Sequence, residues 1–261
     1  TVEFWWLRLA RVYPVHFVML NVAGIAIVAQ TWVTGVTKDR PWLTVGDYLR
    51  NVLLIQEWGP HPDRGWNVVA WSLSMEWLAY LIFPLLVLVL FALHKRMPTA
   101  VLVLAWFVAL TPLLWRGSLT LDPYYTDLWG SVIRVLTEFT AGAITYLIVI
   151  RLIPSGATEP TPRIERIATV VSMLMPIVVV AGAVFLGNWA TAQSPITLTD
   201  PEAEPLPPFF HLWLVPPLII WIGALALSRR GQARWFGTDA MILGGVVSYS
   251  LYMTHLVWFG V

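Results

Sequence analysis

The sequence predicts an all-α fold: a polytopic bundle of transmembrane helices with about seven spans. Three observations predict it. Hydrophobic residues make up 58% of the 261 residues and charged ones only 12%, about half the charged share of an ordinary soluble domain. The apolar residues collect in runs of roughly 18 or more, long enough to cross a bilayer as helices. Sixteen tryptophans and eight tyrosines suit two interfacial belts, where amphipathic rings settle at the headgroups.

The spans are expected near residues 12–33, 67–93, 98–115, 129–153, 168–188, 210–228 and 240–261. All must be helical, because an open strand edge in lipid leaves backbone groups unpaired. Pro84, Pro112, Pro176, Pro216 and Pro217 fall within or near the ends of spans, where they are expected to kink helices. No internal repeat or low-complexity tract is present. Net charge is +1, which gives no basis for nucleic-acid binding. The absence of cysteine excludes disulfides, thiolate metal sites and cysteine nucleophiles. The chain opens on Thr1 and closes on Val261 inside apolar segments, so a longer protein with helices on both sides is expected.

Orientation follows from the loops. The connections 1–11, 94–97, 151–167 and 229–239 hold Arg8, Arg11, Lys95, Arg96, Arg151, Arg163, Arg166, Arg229, Arg230 and Arg234. The opposite side holds only Lys38, Arg40, Arg50, Arg64 and Arg116. This positive-inside bias makes residues 1–11 cytoplasmic. The segments 34–66, 116–128 and 189–209 then face outward. The first of these, with Trp42, Trp58 and Trp66, is expected to cover a site or lie on the membrane surface.

With the loops counted, three charged residues remain inside spans: Glu76, Arg134 and Glu138. A charge at the bilayer centre costs at least about 2.5–3.5 kcal/mol on insertion scales, so each needs a partner and invites a functional explanation. Arg134 and Glu138 stand four apart and share a helix face, as a structural pair or as part of a site. Glu76 lies roughly 15 Å deep at 1.5 Å per residue; either a hydrogen bond to another helix or a reaction site accounts for it. In the last span, Ser248, Tyr252 and His255 share one face, and His255 is either a tyrosine-bonded neutral group or a base. His16 is expected at an interface, and His61, His94 and His211 in loops or at span ends. Histidines scattered in this way form no metal site. Arg8 and Arg11, three apart at the cytoplasmic edge, are either positive-inside anchors or a pair that holds a phosphate.

These residues carry a resemblance. Phe4-Trp5-Trp6-Leu7-Arg8-Leu9-Ala10-Arg11-Val12-Tyr13-Pro14 is similar to the F-x-x-x-R-x-x-R-x-x-P signature of the acyltransferase family 3 membrane proteins. Trp71-Ser72-Leu73-Ser74-Met75-Glu76, followed by Tyr80 and Phe83-Pro84, resembles that family's W-S-L-S-x-E segment. Arg134 through Glu138, Phe139 and Gly142 resembles its R-x-x-x-E-F-x-x-G helix. Gly245, Ser248-Tyr249-Ser250-Leu251-Tyr252 and His255 resemble its G-x-x-S-Y-x-L-Y-x-x-H ending.

The resemblance implies a bacterial-type plasma-membrane O-acyltransferase. Such an enzyme moves an acyl group, typically acetyl, from cytoplasmic acyl-CoA to a carbohydrate, glycolipid or cell-envelope glycan outside, without a metal. It implies donor-phosphate binding by Arg8 and Arg11 and a catalytic role for Glu76, with His255 a second candidate for the base. Arg134, Glu138, Trp71, Tyr249 and Tyr252 would shape the site. The family's favoured base is a histidine on a helix upstream of the R-x-x-R segment, and its fold has roughly ten bilayer-crossing helices; those extra helices are expected outside residues 1–261. Direct transfer is expected, since no cysteine is present and no serine sits beside a histidine in a nucleophile elbow. A transporter of a sugar-lipid or small solute is the main alternative, because kinked helices and buried charges also suit a transport path. A non-catalytic membrane scaffold is the second.

Overall fold

Each of the seven expected segments is helical over nearly all of its described residues in the computed structural model of the chain, which describes residues 2–34, 44–58, 66–119, 130–193 and 210–259. In order these helices are α1 (Val2–Thr34), α2 (Val45–Val52), α3 (Trp71–Arg96), α4 (Thr99–Leu119), α5 (Gly130–Leu152), α6 (Pro162–Gln193), α7 (Val215–Leu227), α8 (Gln232–Phe236) and α9 (Asp239–Phe259). Single 3-10 turns at Val68–Ala70 and Phe210–Leu214 precede α3 and α7. Among the described residues, four helices are long and apolar enough to cross a membrane: α1, α3, α5 and α6. The apolar stretches Thr99–Trp115 and Leu212–Leu227 are shorter.

The surfaces of these helices are hydrocarbon. Ile25, Trp32, Leu88, Ile177, Val180 and Phe185 are each more than 60% exposed. In water such continuous apolar surface would drive association; against lipid it carries no penalty. Pro14, Pro84, Pro112 and Pro176 lie inside helices. Pro216 and Pro217 do not act as the expected kinks. They sit in the first turn of α7, where backbone amides have no helical acceptor and a missing N–H costs nothing.

The chain divides into two compact units. The first comprises residues 1–84, 127–135 and 242–261; the second comprises 85–126 and 136–241.

The first unit packs around Met19, Leu54, Val69, Ala70, Leu73 and Met253. Its most informative part is the stretch 44–58, which composition places in an outer loop. Thr44 caps α2, its hydroxyl accepting from Asp47 N at 3.1 Å. The helix is inside-out by soluble standards: Val45 and Leu49 are exposed, while Asn51 is buried. That is the arrangement expected where lipid lies outside and polar partners lie inside. The chain then turns through Leu54, whose φ of 58° is left-handed and uncommon for a residue with a Cβ.

Ser74 of α3 holds this turn. Its hydroxyl donates to the Leu54 carbonyl at 2.8 Å and accepts from Glu57 N at 3.3 Å, and its carbonyl accepts from Trp58 Nε1 at 3.0 Å. Gln56 Nε2 donates to the Ala70 carbonyl at 2.9 Å. Irregular backbone survives at such a place only when protein groups satisfy it. Trp66 Nε1 closes the stretch by donating to the Thr44 carbonyl at 3.2 Å. Trp42, His61 and Arg64 lie outside the described residues.

The second unit is built on α4 and α5. Leu102, Trp106, Leu110 and Leu113 pack against Ala141, Ile144 and Leu147, with Leu212 completing the core. Polar groups here pair locally. Trp106 Nε1 donates to Thr145 Oγ1 at 2.9 Å, and that hydroxyl donates to the Ala141 carbonyl at 2.8 Å. Thr169 of α6 meets Ser228 Oγ at 2.8 Å. The basic ends are tied as well. Arg151 donates to His94 Nδ1 at 3.1 Å and to the His94 carbonyl; Arg229 pairs with Glu159 at 2.5 Å and Arg230 with Glu165 at 3.4 Å. The connection 229–239, expected to be a plain loop, contains α8.

The role of Ser74 can be tested by removing its hydroxyl. Ser74→Ala leaves the Leu54 carbonyl and the Glu57 amide unpaired in a dry setting, at about 1–3 kcal/mol for each group. A thermal midpoint in detergent clearly below that of the parent protein is expected; an unchanged midpoint would show that Ser74 does not hold the 53–58 turn.

Candidate active site

The site begins where α1 meets the middle of α3. Trp5 Nε1 donates to the Tyr80 carbonyl at 2.8 Å. Phe4 meets the Tyr80 ring edge-on at 5.9 Å and stacks on Phe83 at 5.3 Å. One helical turn on, Arg8 lays its guanidinium 5.5 Å from the ring centres of both Phe4 and Tyr80. The F-x-x-x-R spacing thus has a local cause: residues four apart share a face, and the ring of one supports the cation of the other. Glu76 stands one turn before Tyr80 on α3, and its carboxylate accepts the Tyr80 hydroxyl hydrogen.

Arg8, Glu76 and Tyr80 line one narrow cavity with Leu9, Val12, Leu54, Leu73 and Trp77. It has room for about one water molecule. Cation, carboxylate and phenol therefore face a single space walled by aliphatic and aromatic side chains. The sequence expectation puts Arg8 at the cytoplasmic edge with Glu76 farther out; in the fold both line this one cavity. Helix α1 starts at Val2, not near residue 12, so Arg8 lies in its second turn, with its guanidinium against Tyr80 of α3. Arg11 is exposed and does not line the cavity.

Helix α9 approaches through two phenols. Tyr249 donates to the Val12 carbonyl at 2.7 Å. Tyr252 donates to the Val69 carbonyl and accepts from Ser72 Oγ, both at 3.1 Å. His255 is not among the residues lining the Arg8–Glu76 cavity. Its Nδ1 lies 2.5 Å from the Tyr252 carbonyl, and its ring is 5.6 Å from that of Tyr252. The guanidinium of Arg134 stands 5.7 Å over the Trp71 ring. Glu138, in the second unit, is also engaged.

Two residues escape a sequence reading. His16, expected at an interface, is fully buried, with Nε2 2.8 Å from the Asn51 carbonyl. Since a carbonyl only accepts, Nε2 carries a hydrogen. Its partner lies 35 residues away, and no local pattern announces the contact. Glu57, counted with the outward acidic residues, is 2% exposed and accepts from Ser131 Oγ at 3.2 Å. The signal that could have found it is its place beside buried Gln56, in a stretch ending on Trp58. Among the described residues, no group of three His, Asp or Glu is placed to hold a metal ion.

The model of the acyltransferase 3 family, described as an acyltransferase domain, matches the chain over residues 1–261. Acyltransferase MdmB of Streptomyces mycarofaciens is 40% identical over 85 residues, which is 31% of this chain and 21% of that relative. The match thus spans about a fifth of the relative's length. No solved structure matches the chain.

The stacking of Arg8 between two rings makes a specific forecast. Arg8→Ala should lower stability by about 1–2 kcal/mol, the upper range for a desolvated cation–π contact. Arg8→Lys should recover less than half of it, because a compact ammonium cannot lie flat against both rings. Chemical denaturation in a fixed detergent measures both; equal stability of the Lys variant and the parent protein would rule out the stacked geometry as the source.

Proposed function

Because this chain belongs to the acyltransferase 3 family, we propose that it is part of a membrane O-acyltransferase with seven spans in this stretch and residues 1–11 on the cytoplasmic side. The acyl group, typically acetyl, comes from cytoplasmic acyl-CoA and goes to a hydroxyl of an extracytoplasmic sugar, glycolipid or cell-envelope glycan. One observation carries this proposal: Arg8, Glu76 and Tyr80 face the same small cavity inside the first unit. A cation suited to a donor's phosphate and a carboxylate suited to an acceptor's hydroxyl are then close enough to serve one reaction.

The chemistry is direct transfer. The acceptor oxygen attacks the thioester carbonyl, its proton goes to a base, the C–S bond breaks, and the thiolate leaves with a proton as the free thiol. The chain has no cysteine to form a thioester of its own. In this scheme Arg8 and Arg11 hold the donor, with Arg8 steadied by Phe4 and Tyr80. Glu76, oriented by the Tyr80 hydroxyl, aligns either the acceptor hydroxyl or the base that receives its proton. His255 is a candidate for that base. Trp71, Arg134, Tyr249 and Tyr252 shape the surrounding walls. The acceptor lies on the far side of the membrane from the donor, as the family resemblance implies.

The test is made in cells carrying the full-length protein. Mass spectrometry of envelope glycans and glycolipids with and without the protein should reveal one lost acyl mass. The parent protein should restore it, and Glu76→Gln and Arg8→Ala should each reduce it by about a hundredfold, the usual order for losing one positioned catalytic group. Unchanged acylation across all these cells would overturn the proposal. Altered uptake of a solute with no change in acyl mass would favour transport instead.

A further inference from the structure

The second unit contains a groove that acyl transfer leaves unused. It lies among α4, α5, α6 and α7 and encloses about 410 Å³. Its mouth is set by four helix ends: Val103 early in α4, Leu152 at the close of α5, Ile164 in the first turn of α6 and Leu227 at the close of α7. From Leu152 the lining runs inward to Thr145, roughly 10 Å at 1.5 Å per residue.

The walls offer hydrocarbon alone. Trp106 and Thr145 are the two lining residues with polar side-chain atoms, and they satisfy each other: the indole donates to the Thr145 hydroxyl, which donates onward to the Ala141 carbonyl. A polar ligand would find nothing to bond and would lose its water. The groove also opens sideways. Two of its lining residues, Ile167 and Phe107, are 55% and 59% exposed, on the same apolar surface that faces lipid. A chain can enter from within the leaflet.

Charge at the mouth narrows the occupant further. Arg151, Arg229 and Arg230 are tied to His94, Glu159 and Glu165. Arg163 and Arg166, in the first turns of α6 beside Ile164 and Ile167, are exposed and have no partner among the described residues. Hydrocarbon walls, with two exposed arginines in the first turns of α6 that have no partner among the described residues, match an amphiphile with an apolar tail and an anionic head.

We propose that this groove takes one acyl chain of an anionic phospholipid from the leaflet on its basic side, with the headgroup phosphate at Arg163 and Arg166. The groove shares no lining residue with the Arg8–Glu76 cavity, and the contact would anchor the ends of α5, α6 and α7 in the leaflet.

The experiment uses the full-length protein reconstituted in nanodiscs of equal phosphatidylglycerol and phosphatidylcholine, then released and examined by native mass spectrometry. The parent protein should retain phosphatidylglycerol preferentially. The double variant Arg163→Gln, Arg166→Gln should lower that preference by about fivefold for each arginine removed, with total retained lipid unchanged. Ile167→Trp, which fills the groove from its exposed side without touching buried packing, should abolish retention of either lipid while leaving the thermal midpoint near that of the parent. Three results would each overturn the proposal: no preference in the parent protein, retention unaffected in a folded Ile167→Trp, or displacement of the retained lipid by a long-chain acyl-CoA.

Discussion

Hydrocarbon offers a polar group nothing to bond with, and the whole arrangement of this chain follows from that constraint. Each hydroxyl, amide or charge carried into the apolar region must find its partner in protein. The result is a fold turned inside-out relative to a soluble one. Leucine, isoleucine and valine cover the outside, and serine, asparagine, glutamine, glutamate and histidine collect within. Ser74 shows the constraint at its sharpest: one small side chain and its own carbonyl satisfy three groups of the 53–58 turn. Without such a hub an irregular backbone could not sit against α3.

The candidate site is a product of the same pressure. Glu76 is tolerable because Tyr80 donates to it, and Arg8 because two aromatic rings accept its face. The contacts that make these charges bearable also hold them in place, so chemistry there begins from an organised arrangement. The two phenols of α9 extend the logic, since both spend their hydroxyls on backbone carbonyls of α1 and of the turn before α3. They position a helix with bonds that leave Glu76 and Arg8 free to face the cavity.

Much of the fold was legible because a membrane span needs only length and apolarity, both local properties of a sequence. All seven expected segments are helical over nearly all of their described residues. Four meet the length and apolarity of a crossing among those residues. The prolines show how far local rules reach: Pro216 and Pro217 were readable as helix-disrupting but not as a helix start, because that depends on where the preceding 3-10 turn ends. Arg8, Glu76 and Tyr80 each stood out by residue type and spacing. Their convergence did not, since it rests on α1 beginning ten residues before its most apolar stretch. Glu57 and His16 were misplaced for one reason: both depend on the 44–58 stretch folding inward, and its polar composition resembles that of an outer loop.

By itself the sequence determined the class of solvent this protein meets, the helical character of its spans, and which charges would demand an explanation, because transfer of side chains to lipid is a sum over residues. Only the tertiary structure decided which of those charges share a space, that a stretch rich in polar residues turns inward, and that a buried histidine is held by a carbonyl 35 residues away. Hydrogen bonds between distant segments are set by how helices pack, and packing depends on shape in three dimensions, which no local run of residues encodes.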